Sequence, residues 1–283
     1  MTAAPERWPV DGWTRVRLRW QARWASLAAG RRAKDARRFH AFAVGLPRSG
    51  THSLAEMFQG QFRAAHEPAL VDSLAHTMSW NRGEQPAARM RALLRWRDRR
   101  LGLELEAAHY LHHVAPLLVE EFPAARFVLT LREPVSWLES EINQNLRAAE
   151  FPFWRALAHQ RYGRYGRYGA ALPAAERGLA DAGCAHAIAA HLHYWRDHIE
   201  GVLAAVPNDR LLVVRTDQLD ERAPELAAFL GVAPDLLDRS RSRAGAGGPR
   251  RIDLRALVDP DHLAREVERH CADLLTRWFP ERA

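Results

Sequence analysis

The sequence predicts an α/β protein built on a parallel sheet of about five strands with helices on both faces. Two observations carry that expectation. Residues 39–45, 63–67, 101–106, 126–131 and 210–215 each read as a short strand, and stretches of helical periodicity separate most of them, which is the alternation that parallel strands with crossover helices require. The chain is also long enough, because 283 residues with 47% hydrophobic content can bury a full core in one α/β domain. That domain is assigned to residues 39–283, with residues 1–38 as a basic arm ahead of it.

Taken in order, the strand at 39–45 runs into a turn punctuated by glycine and proline, after which Ser53, Leu54, Met57 and Phe58 fall at helical spacing. Residues 126–131 are a buried strand that ends in Arg132-Glu133-Pro134, and a proline there suits the first turn of a helix over 135–143. Ile188, Leu192, Trp195, Ile199 and Val202 share one helical face, as do Leu263, Val267, Cys271, Leu274 and Trp278, and the aromatics among them belong to the core. His191, His193 and His198 lie on the first of these helices without the i, i+4 spacing that stacks ligands, so no metal is expected there.

Composition narrows the function. No run reaches the roughly 18 apolar residues that span a bilayer, and the first residues lack the apolar block of a secretory signal. The expectation is a soluble cytoplasmic protein. Cys184 and Cys271 supply neither a disulfide framework nor zinc-ligand spacing, which disfavours redox and metal chemistry. The net charge of +7 comes almost wholly from arginine, since Lys34 is the only lysine, and it favours an anionic partner without naming one.

The segment Gly45-Leu46-Pro47-Arg48-Ser49-Gly50-Thr51-His52-Ser53 follows a strand and opens a helix, so backbone N–H groups and the positive helix end face one concavity suited to an anion. Arg48 adds a fork of donors, and Thr51 and Ser53 add hydroxyls. A nucleotide-binding P-loop would carry a lysine after its last glycine, but Thr51 and His52 follow Gly50, and the cation sits two places before it. This arrangement resembles the phosphosulfate loop of the sulfotransferase superfamily, whose fold is P-loop NTPase-like and whose donor is 3′-phosphoadenosine 5′-phosphosulfate. The resemblance implies that Arg48, Ser49, Gly50, Thr51, His52 and Ser53 line the phosphosulfate, that Arg48 is catalytic, and that no metal is needed. His52 departs from the second Thr or Ser of many relatives.

A second motif resembles the same family. Arg132 at a strand end and Ser140 on the following helix are similar to the pair that holds the 3′-phosphate, which makes Ser140 matter more than Ser136. The lead-in Glu121-Phe122-Pro123 and the late segment 210–219 are similar to family segments, except that Thr216 stands where many relatives carry a tyrosine near the nucleotide. Arg243-Ala244-Gly245 is a faint echo of the loop that closes over the 3′-phosphate, with its lysine missing, and Arg243 and Gly245 are the residues it implies. The resemblance covers roughly residues 40–280.

Sulfuryl transfer needs in-line geometry, stabilised oxygens and a base for the acceptor hydroxyl. Glu67, in His66-Glu67-Pro68 at the end of the second strand, is the first choice, being similar to the Glu-Pro segment of carbohydrate sulfotransferases. Glu104, Glu106 and His109 compete from the third strand and its end. The acceptor is expected to bear a hydroxyl on a glycan, a glycolipid or a small molecule, and a homodimer is compatible with the sequence.

Two segments stand outside the two motifs. Arg161-Tyr162-Gly163 repeats at 164–166 and 167–169, and its composition predicts a loop that covers the acceptor or simply lies on the surface. Trp13, Val16, Trp20, Trp24 and Leu27 share a helical face, with Arg15, Arg17, Arg19 and Arg23 mostly elsewhere, a pattern for peripheral membrane contact, for packing on the domain or a partner, or for an import presequence. The rival functions are a nucleotide-dependent kinase, for which no magnesium motif is evident, and a basic protein that binds RNA or membrane. Nucleic acid is not the expected partner.

Overall fold

The computed structural model describes residues 36–166, 171–244 and 250–282, so the pattern on residues 13–27, the third Arg-Tyr-Gly copy and Gly245 lie outside the described residues. In chain order the first elements are β1 (Ala41–Ala43), α1 (Thr51–Gln59), β2 (Ala64–His66), α2 (Leu70–Asn81), α3 (Ala87–Leu101), β3 (Leu105–Ala107), α4 (Ala115–Glu121) and β4 (Arg126–Leu131). There follow α5 (Pro134–Ala148), α6 (Pro152–Tyr162), α7 (Arg177–Asp181), α8 (Ile188–Ala205), β5 (Leu211–Arg215), α9 (Ala223–Leu230), α10 (Leu254–Leu257) and α11 (Pro260–Trp278).

The five strands form one parallel sheet in the order β2-β3-β1-β4-β5. Its register sets Ala41 beside Leu105 on one side and Arg126 on the other, while Phe127 faces Leu211. The chain leaves β1 toward the β2 side, and β5 lies beyond β4 on the other side. β1 and β4 therefore flank the point where the winding reverses, the place where open α/β sheets bind ligands at their carboxyl ends.

The described residues divide into two compact units. One comprises 36–131 and 199–244, the other 132–198 and 250–282. In the first, the Ala-Phe-Ala run of β1 explains how both sheet faces are covered. Ala41 and Ala43 join Leu54, Met57, Phe58, Val128 and Val214 in one buried cluster, because two small side chains let α1 lie close to the sheet. Phe42 points the other way, with ring centroids 5.6 Å from Phe122 and 5.7 Å from Phe127.

In the second unit, Trp137, Ile142, Leu157, Leu192 and Trp195 are buried. Trp137 stacks on Tyr194 with centroids 6.4 Å apart, which agrees with the core role read from the 188–202 periodicity. Asn143 ties a distant segment to α5 by accepting from the N–H groups of Arg251 and Ile252.

Two expectations need correction. The third strand begins at Leu105 and not at Leu101, because the Ala, Leu and Arg residues of α3 carry the helix through Leu101, and Gly102, with φ of 58°, closes it. Arg161 and Tyr162 are not loop residues but the buried last turn of α6. They are drawn inward by Glu141, whose Oε1 accepts from Arg161 Nη1 at 3.0 Å and from the Tyr162 hydroxyl at 2.6 Å, as a buried carboxylate demands. Only Gly163 to Gly166 of the described repeat lie outside the helix.

Candidate active site

The site is assembled at the carboxyl end of β1, where the chain must turn at once into α1. Gly45 permits the turn because a Cβ there would stand 1.9 Å from Thr130 Oγ1 and 2.9 Å from the Thr130 carbonyl oxygen of β4. The Ser49 hydroxyl lies 2.7 Å from the Leu46 carbonyl and 2.8 Å from Thr130 Oγ1, so its side chain faces the sheet and pins the loop, leaving the concavity to its neighbours. Thr216, at the end of β5, buttresses the loop from the other side, with Oγ1 2.5 Å from the Ser49 carbonyl and 2.8 Å from that of Leu131.

Gly50 occupies the N-cap of α1 at φ of 96°, and no side chain caps that helix. The first intrahelical bond runs from the Leu54 N–H to the Gly50 carbonyl, so the amides of the first turn point out of the helix end toward the loop. Thr51 and Ser53 are buried in this turn, whereas His52 is exposed, its Nε2 3.8 Å from Glu56 Oε1. Uncapped amides, a positive dipole end and an adjacent arginine make a receptor for an oxyanion.

Backbone strain marks the same region. Among the described residues, those other than glycine with positive φ are Arg48 at 62°, Glu67 at 48° and Ala69 at 54°, and left-handed conformations of this kind cost roughly 1 kcal/mol or more each. Two of the three are the residues for which the sequence reading proposed catalytic roles.

Glu67 sits just beyond β2, its N–H donating to the Ala107 carbonyl at 2.9 Å. Its Oε1 lies 2.5 Å from His109 Nδ1 and 3.8 Å from His66 Nε2. A carboxylate only accepts, so Nδ1 of His109 carries the proton in that contact. The Glu67 side chain retains 18% exposure against 4% for His109. His66 also meets Thr51, with Nε2 3.2 Å from Oγ1, which links the end of β2 to the first turn of α1. Burial pushes His66 below the usual histidine range, and Glu67 opposes that while His52, His109 and Arg48 reinforce it, so His66 is neutral near pH 7.

The turn that carries Glu67 is held from behind. Arg97 Nη2 donates to the Pro68 carbonyl at 2.6 Å, and the Tyr110 hydroxyl donates to the same oxygen at 3.2 Å. Arg97 also binds Ser73 Oγ at 3.1 Å and pairs with Glu106. Pro68 is thus clamped between the two strained residues Glu67 and Ala69.

The competing carboxylates have other tasks. Glu106 is buried and neutralises Arg97. Glu104 lies before β3 and accepts from the N–H groups of Arg38 and Arg63, each at 2.9 Å. Burial alone would raise its pKa, but these amides, with the two arginines behind them, hold it below the usual carboxylate range. It ties the amino ends of the strands, away from the loop.

In the second unit, Arg132 Nε donates to Ser136 Oγ at 3.2 Å, and Ser140 lies one turn further along α5, half-buried. The N-terminus of α5 is already occupied by its own Glu133, which accepts from Val135 N at 3.0 Å and Ser136 N at 2.8 Å. An anion there would meet side chains and not helix amides. Arg243 is exposed in a turn after Arg241.

Thr130, Arg97 and Tyr110 are site-building residues that the sequence does not signal, and Thr216, marked there only as a departure from the family's tyrosine, proves to buttress the loop. Among the described residues, no group of three or more His, Cys, Asp or Glu side chains is placed to hold a metal, and no helix is long and apolar enough to cross a membrane.

A parallel sheet with an uncapped glycine turn at its switch point defines an anion-binding α/β protein of the P-loop-like kind. Residues 41–236 match the family described as "Sulfotransferase domain", and the chain belongs to that family, whose chemistry is sulfuryl transfer. No curated protein matches it. Similar solved structures include a sulfotransferase from Alicyclobacillus acidocaldarius, 17% identical over 84% of this chain and 96% of that one, with a TM-score of 0.45. Sulfotransferase STF9 from Mycobacterium avium is 12% identical over 91% of this chain and 81% of its own, with a TM-score of 0.47. The sulfotransferase domain of the Synechococcus olefin synthase is 18% identical over 80% and 82%, with a TM-score of 0.35.

Proposed function

We propose that this enzyme takes the sulfuryl group from 3′-phosphoadenosine 5′-phosphosulfate and transfers it to a hydroxyl of a glycan, glycolipid or small-molecule acceptor. The observation that carries the reading is the uncapped start of α1 with Arg48 beside it and the Glu67–His109 pair next to the same turn. Arg48 and the amides of residues 50–53 hold the phosphosulfate oxygens, and Thr51 and Ser53 add hydroxyl donors. Arg132, with Ser140 and Ser136, takes the 3′-phosphate.

In the reaction the acceptor oxygen bonds to sulfur as the bond from sulfur to the 5′-phosphate oxygen breaks, and the electron pair stays on that oxygen. Arg48 and the helix amides stabilise the charge that grows there, a contribution larger in the transition state than in the ground state. The acceptor proton goes to Glu67, the more exposed member of its pair, and His109 orients the carboxylate and stabilises its charge until transfer. The transferring group carries less charge than a phosphoryl group, so arginine and amide donors suffice without a metal.

The test is ligand-induced stabilisation by 3′-phosphoadenosine 5′-phosphate beside AMP and magnesium-ATP. A selective shift with the bisphosphate supports the donor assignment, and a preference for magnesium-ATP overturns it in favour of a kinase.

A further inference from the structure

Between α2 and α3, immediately beyond the Glu67 turn, lies a pocket of about 160 Å³ that none of the proposed donor residues lines. Pro68 and Ala69, the two residues after Glu67, line it together with Trp96 and Arg100. We propose that this pocket receives an uncharged, hydroxyl-bearing ring of the acceptor, a saccharide unit. The inference rests on the assignment of Glu67 as the base, because Pro68 and Ala69, which follow Glu67 in the chain, line the pocket.

The lining selects this class of ligand. Trp96 is 49% exposed, an unusual state for an indole unless it meets a partner, and the Arg100 guanidinium lies 5.0 Å from its ring centroid. A flat, half-exposed aromatic face suits the C–H face of a sugar ring. The polar groups around it suit hydroxyls. Asp72 is exposed at the pocket, and His76 on the next turn of α2 is kept below the usual histidine range by burial, with Asp72 opposing and Arg89 reinforcing, so near neutral pH it offers one donor and one acceptor.

The charges cancel. Asp72 and Arg100 are of opposite sign, and Arg97, which also lines the pocket, is matched by Glu106. In a chain with a net charge of +7, a pocket without surplus arginine is not built for an anionic acceptor. Its volume is below the roughly 300 Å³ of drug-sized sites, which fits one ring and not an extended chain. Arg97 joins the pocket to the Glu67 turn, because this lining residue also donates to the Pro68 carbonyl.

The experiment is saturation-transfer NMR on the full chain in excess 3′-phosphoadenosine 5′-phosphate, titrated with methyl glucoside, glucose 6-phosphate or benzyl alcohol. Methyl glucoside is expected to receive saturation on its ring C–H protons and to bind about tenfold more weakly to Trp96→Ala, the loss of one aromatic contact. Asp72→Asn, which leaves the indole in place, is expected to weaken it as well. No transfer to methyl glucoside, transfer unchanged in Trp96→Ala, or a preference for the phosphate or for benzyl alcohol overturns the proposal. Thermal shift by the bisphosphate on the same samples separates the failures: a retained shift leaves the donor reading standing while the pocket inference falls, and a lost shift removes both. Because Trp96 is half exposed, its variant should keep the wild-type urea midpoint, which excludes unfolding as the cause.

Discussion

Replacing Gly45 by alanine should damage the protein far more than one methyl group suggests. The new Cβ would lie 1.9 Å from Thr130 Oγ1, 2.8 Å from Ser49 Oγ and 2.9 Å from the Thr130 carbonyl. The hydroxyls can rotate away, but the carbonyl belongs to β4, which is paired with β1 on one side and β5 on the other and has little freedom to move. Overpacking of this kind costs about 1–3 kcal/mol, and rotating Thr130 also breaks its contact with Ser49, worth about 1 kcal/mol, so a loss of about 3 kcal/mol is expected. Urea unfolding with an unchanged slope measures it. Thr130→Ala alone should cost about 1 kcal/mol, and in the double variant the two losses should be less than additive by about 1 kcal/mol, because the nearest clash has gone while the carbonyl clash remains. A loss below about 0.5 kcal/mol for Gly45→Ala, the range of an ordinary surface change, or strict additivity, would refute this account of the loop.

Three further outcomes follow. Glu67→Gln should lower turnover by about 10²–10⁴-fold while the thermal shift by the bisphosphate is retained, and a fully active variant would assign the proton transfer elsewhere. Arg97→Met takes away the arginine paired with buried Glu106 and one of the two donors to the Pro68 carbonyl, so urea unfolding should show a loss of about 3–5 kcal/mol, and a loss under about 1 kcal/mol would rule out the clamp. His186 is held down to about 4 by burial first and by His191 and His159 next. A folded-state value below that of the unfolded chain means that the unfolded state binds the proton first as pH falls, so the stability present above pH 6.5 is lost progressively toward pH 4. The full shift corresponds to at most about 3 kcal/mol, and His186→Asn should flatten this limb of the stability–pH curve.

The parts of the protein that could be read from the sequence are those encoded locally. Alternating short strands and periodic helices gave the five-stranded sheet, and the glycines of residues 45–50 marked the loop because a strand that turns at once into a helix has few other ways to do so. What escaped was long-range. Thr216 reaches the Ser49 carbonyl across 167 residues and Thr130 reaches Ser49 across 81, and nothing near either threonine announces a partner. The Arg97 clamp escaped for the same reason, since an arginine in an arginine-rich helix looks like part of a solvated face. Arg161 and Tyr162 were misread because a glycine-punctuated repeat suggests a surface loop, whereas the deciding group, the buried Glu141, lies 20 residues earlier on another helix. The third strand was begun too early for a subtler reason: Leu101 suits a strand and a helix equally, and the left-handed Gly102 decides between them.

The central claim is that the donor is a 3′-phosphorylated adenosine nucleotide and that Arg132 contributes to its binding. The most direct measurement is the melting temperature with and without 3′-phosphoadenosine 5′-phosphate, for wild type and for Arg132→Ala. At about a hundredfold excess over Kd the ligand contributes about 2.7 kcal/mol, and a protein somewhat above the 150–250-residue range gains a little under about 2 °C for each kcal/mol. The account predicts a shift of roughly 4–5 °C for wild type that is selective over AMP and magnesium-ATP and is lost in Arg132→Ala. No shift with any nucleotide, or an equal shift in the variant, would contradict it.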